Sequence, residues 1–566
     1  MGNTFKNPDQ ENKTKLLVAI GVSMMFLTIW QFFFAPTEEE LNKQKSTNTQ
    51  QVSQQQNKQI QAQTMPISNK YELAKPKKNV YLETEKTKIG IDVNNNIINF
   101  FELKDYKQHE GSLQNIILLD DEHFINDNWI FIDDKIENIN WQLGAKTKNS
   151  ISIVGSNSKY NLETTYTIDE NYMITITQKI TNKSGKEQQV AHFVRASLLD
   201  TKDRIENSYA YRGILVMNEG NINELAYDKI QKQDIYFENS TKQGWIALSD
   251  QYWLTALINQ NKTNNKTNYS ARYNKDKNSY QIDFNDKDFI HLENGKTLTK
   301  QTSLYFGPKK LDILQHIGDK HKIEKFDKAI DFGMFYFISK PLLIILKKLY
   351  AISGNFGIAI ILLTILVRMI IFPLANRSYR ATAKMKLLAP EMKAIKEKYK
   401  DGDQVANRKA IQEETMQLYK KYNINPMSAI FPMFLQIPIF FALYKVLVIS
   451  IEMRDAPFIG WIVDLSSADP SSFVNLFGLL PFEAPQILQI GLLPCIMGFT
   501  MLIQQKLTPN VSMDKTQQKI MNWLPAIFTF MFAGMPAGLV LYWSCSNVFS
   551  IIQQSVLLKL VNKNTK

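Results

Sequence analysis

The stretch FGIAIILLTILVRMIIFPL, residues 356–374, decides the fold class of this chain. It carries a single charge, Arg368, and as a helix it covers roughly 28 Å, close to the hydrocarbon thickness of a bilayer. Four further apolar runs follow, at residues 427–448, 487–503, 520–536 and 537–558. Together they predict a core of five transmembrane helices within residues 351–566. The runs at 487–503 and 520–536 need tilt or a thinned bilayer to cross it.

The N-terminal residues 1–34 predict one more span. Residues 16–34 are free of charge, follow three lysines and end in two phenylalanines, where a signal-peptide cleavage site would have small residues. We therefore expect an uncleaved transmembrane anchor with a cytoplasmic N-terminus, which makes six spans; a cleaved signal peptide is the alternative. Residues 35–78 are rich in Gln, Asn, Lys, Ser and Thr, and this composition predicts a flexible polar linker.

Residues 79–333 show the alternation that is typical of an antiparallel sheet. Residues 162–168 are LETTYTI, the polar turn 169–171 follows, and residues 172–176 resume the period of two as YMITI. More runs of this kind occur at residues 245–258 and 280–284. The pattern predicts a large β-sandwich domain.

Two segments between the spans are predicted to be helical without crossing the membrane. Residues 334–350 are apolar but interrupted by charge, so we expect an amphipathic helix at the membrane surface; a seventh span is the alternative. Residues 375–425 are predicted to form a basic helical hairpin, because apolar residues recur at helical spacing on both sides of Asp401-Gly402-Asp403. The apolar positions of its expected seam are Leu388, Met392, Ile395, Tyr399, Ile411, Leu418 and Tyr422.

Loop charges set the predicted orientation. The chain has 66 basic and 54 acidic residues, and residues 35–333 hold 39 and 40 of these, so the net charge of +12 arises outside that segment. Residues 375–425 carry 12 Lys and Arg against six acids, whereas residues 449–486 carry Arg454 against five acids. Basic loops are retained in the cytoplasm. With six spans, both termini and the hairpin are predicted inside and the β domain outside.

Arg368 is the candidate functional residue of the membrane domain. It lies roughly 18 Å along its helix from Phe356, and no Asp or Glu occurs in the five apolar runs. An arginine at bilayer depth either faces a wet cavity inside the protein or extends its side chain to the nearby interface. Uncharged polar residues that such a cavity could include are Thr364, Gln436, Thr500, Gln504, Ser544 and Asn547.

Several classes of chemistry are excluded by what the sequence lacks. The six histidines all precede residue 322, which argues against a Ser-His protease or a His-ligated metal in the membrane domain. Nucleotide-binding and hydrolase motifs are missing from the soluble segment, and two cysteines cannot form a disulfide scaffold. We therefore expect no enzyme activity, cofactor or metal. A transporter for an anionic solute and an envelope protein that binds through its β domain remain alternatives.

The C-terminal motifs resemble a known family. Gly354-Asn355-Phe356-Gly357 leads into Arg368 and Phe372-Pro373-Leu374. The motifs that follow are Asn425-Pro426, Phe431-Pro432, Pro438-Ile439-Phe440, Arg454-Asp455-Ala456-Pro457-Phe458, Asp464-Leu465-Ser466, Gln517-Gln518-Lys519-Ile520-Met521, Pro536-Ala537-Gly538-Leu539-Val540-Leu541-Tyr542 and Ser550-Ile551-Ile552-Gln553-Gln554. In this order they resemble the YidC membrane protein insertases, and residues 477–481 look alphaproteobacterial.

This resemblance implies a protein that inserts and helps fold nascent proteins of the bacterial inner membrane, alone or with the Sec translocon and its accessory subunits. It places the β domain in the periplasm and implies a groove with Arg368, Thr364, Gln436, Thr500 and Ser544. A hydrophobic slide of Phe431, Phe434, Phe528 and Phe532 is implied beside the groove. The basic residues expected on the cytoplasmic hairpin are Arg377, Arg380, Lys384 and Lys386. The ribosome and the phospholipid bilayer are further partners, although the tail after Leu560 is short for ribosome docking, and no DNA partner is expected.

Overall fold

A computed structural model of the chain describes residues 76–108, 112–120, 123–132, 139–199, 211–218, 220–239, 244–259, 266–399, 404–425, 427–476, 489–507 and 515–564. The predicted anchor and the predicted linker up to residue 75 lie outside the described residues. The side chains of residues 427–435 also lie outside that description.

The described part of residues 76–308 contains 19 strands and one short helix, α1 (Tyr227–Ile230). The strands are β1 (Asn79–Glu83), β2 (Thr87–Asp92), β3 (Ile97–Lys107), β4 (Asn115–Leu119), β5 (Phe124–Phe131), β6 (Asn140–Lys146), β7 (Ser150–Ser156), β8 (Tyr160–Ile168), β9 (Met173–Asn182), β10 (Gln188–Leu199), β11 (Gly213–Asn218), β12 (Asn221–Ala226), β13 (Ile235–Asn239), β14 (Gly244–Ser249), β15 (Trp253–Asn259), β16 (Thr267–Asn274), β17 (Ser279–Asp286), β18 (Ile290–Leu292) and β19 (Thr297–Pro308).

These strands pair into two antiparallel sheets. The first has the order β1-β2-β3-β5-β10-β17-β16-β13, with β4 beside β3 and β18 beside β10. The second has the order β12-β11-β14-β15-β19-β9-β8-β7-β6. In β8 alternate residues from Tyr160 to Ile168 are buried, whereas every residue of the central strand β15 is buried. The predicted antiparallel β-sandwich is thereby confirmed.

The turn between β8 and β9 shows why the chain reverses where the sequence predicts. The Asp169 carboxylate accepts hydrogen bonds from the backbone N–H groups of Asn171 at 2.7 Å and Met173 at 2.9 Å. Aspartate favours such turns because its short side chain can bond to the backbone two residues further on. The alternation therefore resumes in register, with Ile168 opposite Ile174.

After the sandwich the described chain is helical. Helix α2 (Leu311–His321) and a 3₁₀ turn (Phe326–Ala329) pack on the β domain. The helices that follow are α3 (Tyr336–Ser353), α4 (Phe356–Leu387), α5 (Ala389–Lys398), α6 (Gln404–Lys421), α7 (Met427–Ile449), α8 (Leu492–Leu507), α9 (Lys515–Phe532) and α10 (Ala537–Asn564). A second 3₁₀ turn, Ile451–Met453, follows α7. The helical C-terminal region agrees with the prediction.

Helix α4 is longer than the apolar run that predicted it. It continues 13 residues beyond residue 374, to Leu387. Hydropathy falls at residue 375, but the segment ANRSYRATAKMKL contains no Gly or Pro and is rich in Ala, Arg and Lys, which favour a helix. Helix α9 instead ends at Phe532, four residues before the predicted end, because Gly534 and Pro536 follow it.

The basic hairpin therefore consists of α5 and α6 and is carried on the extension of α4. Its small apolar core contains Leu388, Met392, Leu418, Tyr419 and Ile424. Three of the predicted seam residues lie in this core, and Ile395 packs against it, whereas Tyr422 is exposed.

Helix length and hydropathy test the predicted spans only in part. Among the described residues, α4 is the one helix that is both long and apolar enough to cross a bilayer; Gln436–Ile449 and Leu492–Leu507 are apolar but shorter. The number of spans therefore remains a prediction.

An ion pair and a hydrogen bond join the β domain to the C-terminal end of α7. The Lys445 ammonium lies 2.6 Å from the Asp331 carboxylate, and both side chains are about four-fifths buried. Nearby, the Gln251 amide donates a hydrogen bond of 2.9 Å to the carbonyl of Val448. Lys445 is therefore held by the β domain and does not extend to the membrane surface as a lone charge. We call these contacts, with those of Lys347 described next, the domain junction.

Helix α3 and the turn after α7 complete the domain junction. Lys347 lies 2.6 Å from Asp312 and 3.1 Å from Glu452, so one lysine joins α2, α3 and the 3₁₀ turn. Burial alone would lower the pKa of Lys347, but Glu452 and Asp312 together raise it above its usual range. The Arg454 guanidinium donates to the carbonyl of Lys107 at 3.0 Å. The junction thus joins the C-terminal half of α3 and the C-terminal end of α7 to the sandwich.

Candidate functional site

The side chain of Arg368 extends from α4 to α10 and is partly buried. Its Nε donates to Ser546 Oγ at 3.0 Å, and one terminal guanidinium nitrogen donates to the same oxygen. Among the described residues Ser546 is its one hydrogen-bond partner, and no carboxylate lies within ion-pair distance. A guanidinium has five N–H donors, so a single neutral hydroxyl leaves most of its hydrogen-bonding capacity and its full charge unmatched.

Gln436 on α7 also contacts α10, one turn from Ser546. The Gln436 amide donates to the Tyr542 hydroxyl at 2.8 Å. Tyr542 and Ser546 are one helical turn apart on α10, so the partners of Gln436 and Arg368 occupy consecutive turns. Two of the five predicted groove residues, from α4 and α7, are therefore joined through a third helix.

The other three predicted groove residues have different roles. Thr364 and Ser544 are buried, and each hydroxyl donates to the carbonyl four residues before it, that of Ile360 and Val540 respectively. Thr500 accepts a hydrogen bond of 3.2 Å from Asn547 and joins α8 to α10. The hydroxyls of Thr364 and Ser544 thus bond to carbonyls of their own helices, whereas Thr500 forms a hydrogen bond between two helices.

The N-terminal ends of α4 and α10 are covered by the loop that follows α7. The Asn355 side chain donates to the carbonyl of Phe458 at 3.0 Å, and the Gly538 N–H donates to the carbonyl of Leu465 at 2.9 Å. Gly357 is required here, because a Cβ at this position would overlap the Phe458 ring. Both helices therefore begin against one loop.

Aromatic residues form a cluster beside the site. The rings of Phe440, Phe528, Phe532 and Trp543 lie with centroids 5.0–6.3 Å apart. Phe532 is only 1% exposed, so it packs inside the bundle, whereas Phe528 is partly exposed. The side chains of Phe431 and Phe434 lie outside the described residues.

The four basic residues predicted for the hairpin are exposed but lie on the last turns of α4. They are Arg377, Arg380, Lys384 and Lys386. They extend from the helix that carries Arg368 and point to a basic surface on this side of the bundle.

Sequence reasoning missed the residues through which the site is assembled. Ser546, Tyr542 and Trp543 lie in one apolar helix, and each of them taken alone resembles a packing residue. The available signal was the helical spacing of four polar residues, Ser546, Asn547, Ser550 and Gln554, within an apolar run. In the structure all four are at least 92% buried. Polar residues at helical spacing within an apolar run indicate a polar face inside a bundle.

Comparison with known proteins agrees with the sequence motifs. Residues 348–564 match the family described as 60Kd inner membrane protein, and residues 79–345 match the YidC periplasmic domain. A membrane protein insertase YidC of Mesorhizobium japonicum is 32% identical and aligns with 97% of this chain and 96% of its own length. The insertase YidC of Rickettsia prowazekii is 33% identical, with 96% and 98% covered.

A solved structure gives a weaker match. The crystal structure of an active YidC insertase with its first transmembrane domain resolved is 19% identical, aligns with 85% of this chain and 92% of its own, and has a TM-score of 0.36. The two full-length relatives and the two domain matches confirm the resemblance found in the motifs. This chain belongs to the YidC family of membrane protein insertases.

Proposed function

We propose that this chain inserts newly made integral membrane proteins into the bacterial inner membrane and assists their folding, alone or beside the Sec translocon. The observation that carries the proposal is the environment of Arg368, which packs between helices against the neutral hydroxyl of Ser546. The names of the full-length relatives support the same function. The Sec translocon and the ribosome enter the proposal from the family resemblance.

The electrostatics of Arg368 favour an acidic polypeptide segment as its ligand. An arginine at bilayer depth costs about 2.5–3.5 kcal/mol on insertion scales. A carboxylate roughly 4 Å away at an effective dielectric constant near 20 recovers about 4 kcal/mol. Because the cost of burying the arginine and the energy of the ion pair are similar, Arg368 would bind an acidic tail and still allow its release. Burial of a long apolar segment in lipid then drives the tail outward and needs no nucleotide.

The path of the substrate follows α7 and α9. Phe528 is partly exposed next to Trp523, Ile527 and Phe530, which expose more than half of their surface. This apolar side of α9 suits contact with lipid and with an apolar substrate. In the proposal the substrate leaves the groove here, along the slide that includes Phe431 and Phe434.

The proposed topology has six spans, with the hairpin, the basic end of α4 and both termini in the cytoplasm. The outer ends of α4 and α10 meet the loop after α7 and, through the domain junction, the β domain lies on that same side. The basic residues at the other end of α4 agree with retention in the cytoplasm. This end is the entrance in the proposal, and its basic surface suits anionic lipid headgroups or a ribosome.

The experiment that tests the function uses the purified full-length chain in proteoliposomes. Single-span substrates with outward tails of zero to four acidic residues are translated in their presence, and insertion is measured by protease protection of the tail. We expect insertion by the wild-type chain to rise with the number of acids, and Arg368→Ala to remove this dependence. Lys348→Ala, which removes a charge from the exposed side of α3, is the matched control and is expected to behave like the wild type.

Failure of the wild-type chain to insert any substrate would reject the proposal. An Arg368→Ala variant that keeps the full dependence on acidic residues would reject the role of the arginine. Transport of an anionic solute that depends on Arg368, without insertion, would support the transporter in its place.

A further inference from the structure

We propose that the loop after α7 inserts its tip, residues 457–463, into the membrane leaflet on the side of the β domain. The partner of this surface is the boundary between lipid headgroups and acyl chains. The inference rests on the proposed topology, in which α4 spans the bilayer, and it adds a lipid contact to the loop that covers the N-terminal ends of α4 and α10.

The loop tip carries apolar side chains on its exposed side. Its sequence is PFIGWIV and contains no charge. Ile459, Trp461 and Val463 are 62%, 41% and 46% exposed, whereas Ile462 is only 3% exposed. Single exposed apolar residues are common on protein surfaces, but three of them within five positions form a patch that indicates a partner.

The backbone of the loop tip keeps these side chains exposed. The N–H of Phe458 donates to the carbonyl of Ile462 at 2.9 Å, and this hydrogen bond closes the turn. Gly460 reverses the chain with a φ of +68°, a conformation that glycine adopts without strain. The Phe458 ring packs so closely on Gly357 that it fastens the turn to α4. The exposed side chains therefore cannot turn inward unless the turn opens.

The indole of Trp461 can enter an apolar medium without losing a hydrogen bond. Its Nε1 donates to Asp469 at 3.0 Å. Asp469 is 5% exposed, and its second carboxylate oxygen accepts from the N–H of Leu493 at 2.8 Å, so the acid itself stays inside the protein. A tryptophan with an exposed ring and a satisfied N–H group suits the boundary between lipid and water.

The loop tip lies at the depth where the apolar run of α4 begins. The Asn355 side chain caps α4 by accepting from the N–H of Ile358 at 3.1 Å, and it donates to the carbonyl of Phe458. From Asn355 to Arg377, the first charged residue after Arg368, the helix advances by 22 residues, about 33 Å. The hydrocarbon core is about 30 Å thick. With Arg377 at one membrane surface, Asn355 and the loop tip lie at the other.

A second exposed apolar surface adjoins the loop tip. Phe337, Ile344 and Ile352 on α3 are between 40% and 81% exposed, and at 100° per residue they lie within about 80° of one another on the helix. Ile352 precedes Asn355 by three residues, and Asn355 bonds to the residue before Ile459. Both surfaces thus meet at one end of α4, and a bilayer is the partner that contacts them together.

The expected contact is shallow. Peptide groups without partners do not enter the hydrocarbon core, so the backbone of the loop tip should stay among the headgroups. The apolar side chains should then reach roughly 5–10 Å into the boundary, as those of interfacial helices do.

The test measures the depth of the loop tip in the purified full-length chain, reconstituted in vesicles of phosphatidylethanolamine and phosphatidylglycerol. Cys495 and Cys545 are replaced by alanine, and a single spin label is attached at Ile459→Cys or Val463→Cys. Collisions of the label with oxygen, which concentrates in lipid, and with a water-soluble nickel complex are measured by electron paramagnetic resonance. Two label positions are used because either substitution alone could disturb the turn.

Two matched controls define the scale. Ile370→Cys places the label on the exposed apolar side of α4, where Ile370 is 72% exposed, and Asp276→Cys places it in an exposed turn of the β domain. We expect the ratio of oxygen to nickel collisions at Ile459→Cys and Val463→Cys to exceed that of Asp276→Cys at least about fivefold and to stay below that of Ile370→Cys.

A ratio at both positions equal to that of Asp276→Cys overturns the inference, because the loop tip then lies in water. Labels that collide with neither reagent also overturn it, since the loop tip is then covered by protein, such as a second copy of the chain. Both results leave the proposed function intact, which insertion by the wild-type chain tests separately. An Ile370→Cys label that lies in water rejects the spanning α4 of the proposed topology, and the inference fails with it.

Discussion

The ion pair between Asp331 and Lys445 should hold the C-terminal end of α7 against the β domain, and Asp331→Ala tests this. Exposed pairs contribute about 0.2–1 kcal/mol, whereas breaking a fully buried pair costs about 3–5 kcal/mol. The Asp331 and Lys445 side chains are 23% and 19% exposed and their charged atoms are 2.6 Å apart, so an intermediate cost of about 2 kcal/mol is expected.

A nearby carboxyl limits the cost. Burial raises the pKa of Glu224, Asp331 raises it further, and Lys445 lowers it. Loss of Asp331 removes the repulsion between the two acids, so the pKa of Glu224 falls and its charge partly replaces the missing partner. For this reason the expected cost stays below that of an isolated buried lysine.

The assay is hydrogen–deuterium exchange of the C-terminal turns of α7 in the purified chain. A loss of about 2 kcal/mol in the free energy of opening makes exchange there roughly 30-fold faster. The matched control is Asp276→Ala, which removes an exposed acid from the turn between β16 and β17. Exchange at α7 that stays within threefold of the wild type would refute the coupling, as would a charge-swapped pair, Asp331→Lys with Lys445→Asp, that restores nothing.

Three further predictions concern stability at other positions. Burial lowers the pKa of Lys309 to about 8, whereas an unfolded lysine titrates near pH 10.5. Between these two pH values the folded chain binds fewer protons than the unfolded chain, so its free energy of unfolding should rise by up to about 3 kcal/mol. Lys309→Met should remove this dependence on pH, as measured by denaturant unfolding. A Cβ on Gly498 would overlap Thr529 Oγ1, so Gly498→Ala should lower the melting temperature, and adding Thr529→Ala should recover part of the loss; no recovery would contradict this packing. Tyr542→Phe leaves the Gln436 amide without its partner and should cost about 1–3 kcal/mol, measured by thermal unfolding; an unchanged melting temperature would show that water replaces the hydroxyl.

The fold was predictable where hydrophobic period and helix length agree. Alternation in residues 162–168 identified β8, and the Asp169 turn fixed the hairpin, because both signals are local. The end of α4 was not predictable from hydropathy, since the segment after residue 374 is polar yet remains helical. Apolar content marks where the membrane ends, whereas helix propensity marks where the helix ends.

The candidate site was predictable only as far as its charge. Arg368 is conspicuous because it interrupts an apolar run, and Gln436 for the same reason. Ser546 is recognisable as a site residue only from the packing of α4 against α10, which depends on contacts between residues almost 180 positions apart. Lys445 is a further example, because its partner Asp331 lies 114 positions earlier in the chain and only the fold brings the two charges together.

Helix α4 also has a mechanical property. Pro373 lies five residues after Arg368 and removes one backbone hydrogen bond, so bending of this helix concentrates there. From Pro373 to Leu387 the helix advances by 14 residues, about 21 Å, and it carries the basic hairpin at its end. A bend of roughly 10° at the proline moves that end by about 4 Å while the segment with Arg368 stays still. A bend at Pro373 would therefore move the basic hairpin and leave the hydrogen bond between Arg368 and Ser546 in place.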